Sequence, residues 1–262
     1  MGQTLACANQ KGGVGKTTTV VNVAAYLAHD GARVLVIDLD PQGNATSGLG
    51  SPRPPAGRSV YDALVNDAPL ESLVGPTPVP GLDLVASSIA LAGAEVELAG
   101  VPQRERRLAR LLPPVAASYD HVFIDCPPSL GLLTVNALTA ADGVLVPIQC
   151  EYYALEGLSQ LIATIHLVRD HLNPALVVNG VVLTMYDART NLSAEVASEV
   201  RRHLQDAVYE TVVPRSVRLA EAPSHGLPIP QYAPESRGAA AYRALADELR
   251  GRGSRIAVGG AA

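Results

Sequence analysis

The residues best suited to chemistry lie near the start of the chain, in Ala8-Asn9-Gln10-Lys11-Gly12-Gly13-Val14-Gly15-Lys16-Thr17-Thr18. Gly12, Gly13 and Gly15 are three glycines in four residues, and their backbone N–H groups, free of Cβ obstruction, can close around a phosphate. A helix starting near Lys16 would add its unpaired N-terminal N–H groups and the positive end of its dipole. Lys16 would reach the terminal phosphates of a nucleotide, and the Thr17 hydroxyl would bind Mg²⁺. The match to the phosphate-loop pattern G-x-x-x-x-G-K-[ST] is not literal, because Gln10 stands where the pattern wants glycine and Lys11 adds a second lysine. A glycine-rich turn that merely contains lysines is the bland alternative, and composition weighs against it. Of the 20 Lys and Arg residues, only Lys11 and Lys16 are lysine. A chain that otherwise uses arginine keeps the compact ammonium where a planar guanidinium would not fit.

Two further sites carry carboxylates. Residues 34–38 form an apolar run that ends in Asp38, followed by Leu39-Asp40-Pro41-Gln42. The run His121-Val-Phe-Ile-Asp125-Cys-Pro-Pro128 has the form of a Walker B strand. In open α/β sheets ligands sit beyond the carboxyl ends of strands, which places Asp38, Asp40 and Asp125 near the phosphates. Asp125 would hold Mg²⁺ through water. Asp38 and Asp40 divide between the Mg²⁺ shell and the orienting or deprotonating of an attacking water. Each Asp alone is an ordinary strand end, and it is the ordered set with the phosphate loop that carries the signal.

The elements that must position these groups follow from the hydrophobic pattern. Strand-like runs occupy residues 5–8, 34–38, 82–86, 122–125, 143–149, 178–183 and 209–213. Helical patterns occupy 17–29, 59–65, 89–99, 104–118, 129–140, 154–171, 193–206 and 235–250. The strands are apolar without alternation, as expected when both faces are buried. The expectation is an α/β fold: a doubly wound, mostly parallel sheet flanked by helices. Residues 50–57 and 75–81, rich in Pro and Gly, read as connectors. Residues 1–250 are expected to form a single domain, and 251–262 a disordered tail.

Composition narrows the function. The chain has 262 residues, 48% hydrophobic and 17% charged, with a net charge of −5, so no global basic field marks it for nucleic acid. Cys7, Cys126 and Cys150 are widely spaced in apolar runs and read as reduced core thiols of a cytoplasmic protein. No signal peptide and no membrane span are expected.

The Lys11-Gly-Gly-Val-Gly-Lys16-Thr17 loop, with its extra lysine, resembles the deviant Walker A of the ParA/MinD class of P-loop ATPases. Residues 38–44 resemble the first switch of that class and residues 125–129 its second. Residues 149–157, 184–190 and 214–223 resemble the chromosomal ParA (Soj) branch. The likeness runs from Thr4 to about Leu249. It implies ATP and Mg²⁺ as cofactors, with nucleotide contacts from Lys11, Gly12, Gly13, Val14, Gly15, Lys16, Thr17 and Thr18. Thr17, Asp38 and Asp125 would serve the metal. Lys11, Lys16 and Asp40 would be catalytic, Lys11 crossing an ATP-sandwich homodimer to the partner's phosphates and Asp40 positioning the water. Gly12 would lie at the dimer face, and Met185, Pro214, Arg215 and Val217 would surround the adenine. Ser216 departs from the Asn common in this branch.

The resemblance further implies a nucleoid-associated partitioning ATPase. Its ATP-bound dimer would hold double-stranded DNA without sequence preference, and a ParB-like centromere-binding protein would trigger release. Arg189 and Arg218, in loop-like stretches, are the candidate DNA contacts. A MinD-like membrane switch is the alternative, but it needs a basic, bulky amphipathic C-terminal helix, and residues 252–260 are rich in glycine.

Overall fold

The computed structural model describes residues 2–151 and 154–252. The apolar runs become strands β1 (Gln3–Cys7), β2 (Val34–Asp38), β3 (Val74–Pro76), β4 (Leu82–Val85), β5 (His121–Asp125), β6 (Gly143–Gln149), β7 (Val177–Tyr186) and β8 (Val208–Pro214). They join in one sheet of order β3-β4-β2-β5-β1-β6-β7-β8, parallel throughout except for β3. Successive side chains of each strand enter opposite faces, and both faces are covered. Leu5, Val36 and Phe123 pack on one side with Val20, Val23 and Leu245. Ala6, Ile37 and Ile124 pack on the other with Leu138, Leu161 and Val200.

The first face carries α1 (Lys16–His29) and a long last helix (Arg237–Arg252). Tyr242 and Thr19 hydroxyls meet at 3.2 Å, and the Tyr26 hydroxyl donates to the Ala239 carbonyl at 3.0 Å, so the two helices are stitched along their contact. Because β1 lies centrally, between β5 and β6, the loop after it opens at the carboxyl edge of the sheet, flanked by the ends of its neighbours.

The expected doubly wound α/β fold is present, with differences in detail. Residues 75–81, expected as a connector, supply part of β3, an antiparallel edge strand paired to β4. An edge strand needs one line of N–H groups only, which is why Pro76 is tolerated there. The expected helix over 89–99 is a 3₁₀ turn (Ile89–Gly93) followed by one turn of α-helix (Ala94–Glu97). Of the expected tail over 251–262, Gly251 and Arg252 belong to the last helix, and residues 253–262 lie outside the described residues.

Arg252, the last described residue, is held on the body of the fold by several contacts. Its guanidinium donates to the carbonyls of Asp206 (3.2 Å) and Val208 (2.7 Å), pairs with Glu248 (2.9 Å), and sits 4.1 Å above the Tyr209 ring. Arg252→Ala removes the cation–π contact and the charge-assisted bonds together, and should cost about 1–3 kcal/mol in urea unfolding. Arg252→Lys should recover only part of the loss.

Candidate nucleotide site

The loop between β1 and α1 is held from three sides. The Asn9 amide donates to the Pro147 carbonyl at 2.7 Å, and its oxygen accepts the Lys11 N–H at 3.0 Å. The Thr184 hydroxyl, on β7, donates to the Val14 carbonyl at 2.8 Å. Gly15 caps α1 at φ 92°, a left-handed conformation that an L side chain resists. Lys16 is buried, and its ammonium curls back onto the Lys11 carbonyl at 3.3 Å. The loop thus arches over its own lysine on a pinned backbone.

The carboxylates lie beneath. Asp38 and Asp125 are paired in register on adjacent parallel strands, which places both side chains on one face, fully buried. The Thr17 hydroxyl donates to Asp125 Oδ2 at 2.7 Å, whereas Asp125 Oδ1 accepts no hydrogen bond. Burial, then the neighbouring Asp38, push the Asp125 carboxyl well above the ordinary carboxylate range. Asp38 is raised to about 6, chiefly by burial, and bonds to Thr46 and to the Asp40 N–H pull it back down.

Asp38 does not reach the site as a metal ligand would. Its Oδ2 accepts both the Thr46 N–H (2.8 Å) and hydroxyl (2.7 Å), and its Oδ1 accepts the Asp40 N–H (3.1 Å). Asp38 therefore braces the turn that leads into α2 (Asn44–Gly48). Asp40, beyond the strand end, does face the site. Its Oδ1 accepts the Gln42 N–H at 2.9 Å, and its carbonyl accepts the Ser87 hydroxyl at 2.7 Å.

The loop and Asp40 border a cavity of about 530 Å³, whereas the fully buried Asp38 and Asp125 lie behind its wall. Gly12, Gly13, Gly15, Lys16, Thr17 and Thr18 form one end, with Asp40, Gln42 and Asn44 beside them. Met185, Pro214, Arg215 and Ser216 form the other end, closed by Leu219 and Tyr242. A polar phosphate-sized end and an apolar end the width of a base suit a nucleotide.

A family described as an AAA domain matches residues 2–178. The sporulation initiation inhibitor protein Soj of Bacillus subtilis is 57% identical over 253 residues, covering 97% of this chain and 100% of the relative. The chromosome partitioning protein ParA of Myxococcus xanthus is 53% identical, covering 96% and 89%. The chain belongs to the Soj/ParA family of chromosome-partitioning ATPases. Among solved structures similar to it is the Mycobacterium smegmatis protein titled cobyrinic acid a,c-diamide synthase, with bound ADP and magnesium. That chain is 41% identical at a TM-score of 0.82, with 94% of this chain and 93% of that one covered. The Pyrococcus furiosus cell division ATPase MinD is 25% identical at a TM-score of 0.79, covering 96% and 99%.

The residues of this Soj/ParA chain fit Mg²⁺ with a nucleotide. Asp125 Oδ1 is a buried acceptor in need of a donor or cation, and the Thr17 hydroxyl lies against its other oxygen. No cluster of three or more acidic, His or Cys ligands exists among the described residues. An ion here would take most of its ligands from phosphates and water, as magnesium does.

Not every expected contact is brought together. Val217 is 72% exposed and absent from the cavity wall, because it opens α9 (Val217–Glu221) facing outward, while Leu219 of that helix turns in. Val14 is buried and contributes its carbonyl to Thr184 rather than a surface to the cavity. Met185 holds φ 50°, unusual for a long side chain, where the β7–β8 register shifts. Lys11 also lies off the cavity wall. Its ammonium meets Glu151 at 3.2 Å, and Arg215 reaches the same carboxylate at 3.4 Å.

The two DNA candidates are both exposed and both ion-paired. Arg189 grips Asp187 through two nitrogens, at 2.9 and 2.7 Å, and this pairing holds the Asp187 carboxyl well below its usual range. Arg218 pairs with Glu221 at 2.9 Å. Thr184 and Tyr242 were not singled out from sequence. Thr184 carries a signal, a hydroxyl closing an apolar strand. Tyr242 carries none, since it reaches the cavity from a helix more than two hundred residues away.

Asp125→Asn keeps an acceptor for Thr17 and removes the buried charge. In metal-free solution the variant should melt above the wild type by roughly 2–4 °C for each kcal/mol relieved. A raised folded pKa makes the wild-type carboxyl a growing burden as pH rises, so this gap should widen as pH climbs above the ordinary carboxylate range. Thermal melts in chelator check this. The same variant should lose the Mg²⁺-dependent part of stabilisation by ATP.

Proposed function

We propose that this chain binds ATP with Mg²⁺ in the cavity under its phosphate loop and then closes face to face with a second copy. In that state it holds double-stranded DNA without sequence preference. It lets go when a ParB-like centromere-binding protein stimulates hydrolysis. The observation that carries this reading is the placement of the two lysines. Lys16 is buried under its own loop, whereas Lys11 is 41% exposed, stands off its own cavity and is tied to Glu151 alone. A lysine not needed by its own site is available to another.

Gly12 supports the same reading. A Cβ added there would meet only Pro128, at 3.8 Å, and its φ is not left-handed, so nothing in its own chain requires glycine. Close approach by a second molecule would. ATP is then the ligand that favours the two-chain state, because each Lys11 finds phosphates only across the interface.

Within the site, the pinned loop and Lys16 would bind and orient the phosphates. Thr17 and Asp125 would hold Mg²⁺, which when bound neutralises phosphate charge during transfer. Asp38 acts through Thr46 by fixing the turn that carries Asp40. Asp40, its carboxylate set by the Gln42 N–H, would orient the attacking water. Arg189 and Arg218 would meet DNA phosphates. The bidentate pair with Asp187 sets the plane of the Arg189 guanidinium and leaves donors facing solvent, while the paired acids keep binding weak for a single chain.

Lys11→Ala should bind ATP with near wild-type affinity and yet lower ATP-dependent dimerisation and stimulated hydrolysis by at least about a hundredfold. Sedimentation and phosphate release measure the two. Asp40→Ala should accumulate as an ATP-bound dimer, and normal hydrolysis by that variant would remove Asp40 from the water's position.

Arg189→Glu should dimerise normally with ATP and lose DNA retention, measured against rising salt with ATP, ADP and no nucleotide. Retention at wild-type level would move the DNA surface elsewhere. Sequence-independent binding that needs ATP is the result that distinguishes this function from any other use of the fold.

A further inference from the structure

The segment between β4 and α5 (Arg107–Ala116) has no role in the site described above, and it is apolar on both sides. Leu91, Ala94 and Leu98 point inward and are buried. Ile89 and Val96 point outward, 69% and 79% exposed, with Ala92 and Ala99 exposed beside them. Five large hydrophobic side chains are exposed among the described residues, and these two lie seven residues apart on one short helical run. Glu95 and Glu97 flank them. Neither has an ion pair among the described residues, and residues 83–103 contain no Lys, Arg or His.

The same segment touches both halves of the nucleotide machinery. Just ahead of it, the Ser87 hydroxyl donates to the Asp40 carbonyl (2.7 Å), and the Ser87 N–H donates to the Thr46 hydroxyl (3.1 Å). Midway along it, the Glu95 carboxylate packs on Gly131, the residue before α6 (Leu132–Ala140), closely enough that a Cβ there would push it aside. Gly131 follows the Pro128 turn, which borders the cavity. The segment leaves the carboxyl end of β4, so it lies at the same edge of the sheet as the site.

We propose that the outward face of residues 89–99 is the docking surface for the stimulating partner. It takes an amphipathic segment that sets bulky apolar residues on Ile89 and Val96 and cations on Glu95 and Glu97. The inference rests on the partner-stimulated cycle proposed above, and it adds where the stimulus enters. Charge selects the occupant: Glu97 accepts the Tyr61 hydroxyl at 2.8 Å, but neither it nor Glu95 has a cation partner among the described residues, so an apolar stripe beside two uncompensated carboxylates attracts a basic segment and repels an acidic one. The route inward is short, since pressure on this face is transmitted through Ser87 to the backbone of Asp40 and through Glu95 to the turn after Asp125.

The test uses the full chain with its ParB-like partner and DNA. Ile89→Ser with Val96→Ser alters exposed side chains only, so basal hydrolysis and ATP-dependent DNA retention should match the wild type. The partner concentration for half-maximal stimulation should rise about tenfold or more. A photo-crosslinker placed at Val96 should capture the partner, and one at Leu167, also exposed and on another helix, should not. Equal stimulation of variant and wild type, or equal capture from both positions, overturns the proposal. Loss of ATP-dependent dimerisation in the variant without partner overturns it too, because the face would then be a contact between copies. If the wild type itself is not stimulated, the partner-driven cycle fails, and this surface fails with it.

Discussion

Asp125 is buried at the end of a central strand with one oxygen on the Thr17 hydroxyl and the other without a donor. An unpaired carboxylate in that position is costly, and the neighbouring Asp38 makes it more so. The fold tolerates it because the sheet around it is fully covered and the in-register pairing of β2 with β5 leaves no alternative placement. Much of the site can be read as a response to this one group. Thr17 satisfies half of it, Lys16 lowers its energy from above, and a divalent ion would satisfy the rest. A site built in this way has an unmet demand at its centre, and the function proposed above would use that demand to make ligand binding a switch.

Asp38 plays a different part at the end of the neighbouring strand. Its carboxylate makes three hydrogen bonds, to Thr46 twice and to the Asp40 backbone. It is thus a brace for the chain that carries Asp40. Thr46 in turn accepts from the Ser87 backbone, and the Ser87 hydroxyl holds the Asp40 carbonyl. The acidic pair of β2 and β5 is therefore unequal: Asp125 keeps one oxygen without a partner, while both oxygens of Asp38 are taken, one of them by the Asp40 N–H. The spacing Asp-x-Asp alone left both roles open.

The charged surface follows a related economy. Lys11 and Arg215 converge on Glu151, Arg189 on Asp187 and Arg218 on Glu221. Each exposed cation near the site is paired within its own chain. Pairs this exposed contribute little to stability, so their effect is to orient side chains and to lower the attraction of a single chain for polyanions. In a chain with net charge −5, the DNA contact proposed above would then depend on bringing two such surfaces together.

The order of apolar runs was enough to find seven of the eight strands, since strands buried on both faces announce themselves without alternation, and β2 and β6 begin and end where the pattern says. The phosphate loop, Thr17, Asp40 and Asp125 were legible for the same reason: each is a short-range pattern of a strand end with the turn that follows. Only the tertiary structure could decide what depends on distant chain segments. It set Asp38 against Thr46, turned Val217 outward and Leu219 inward, and brought Tyr242 from the last helix to the cavity. It also made an edge strand of Val74–Pro76 and extended the last helix to Arg252, whose partners Val208 and Tyr209 lie far away in sequence. Local spacing encodes what one strand and its turn can present. Which face of a short helix is buried, and which of two carboxylates is already satisfied, depends on neighbours that spacing does not name.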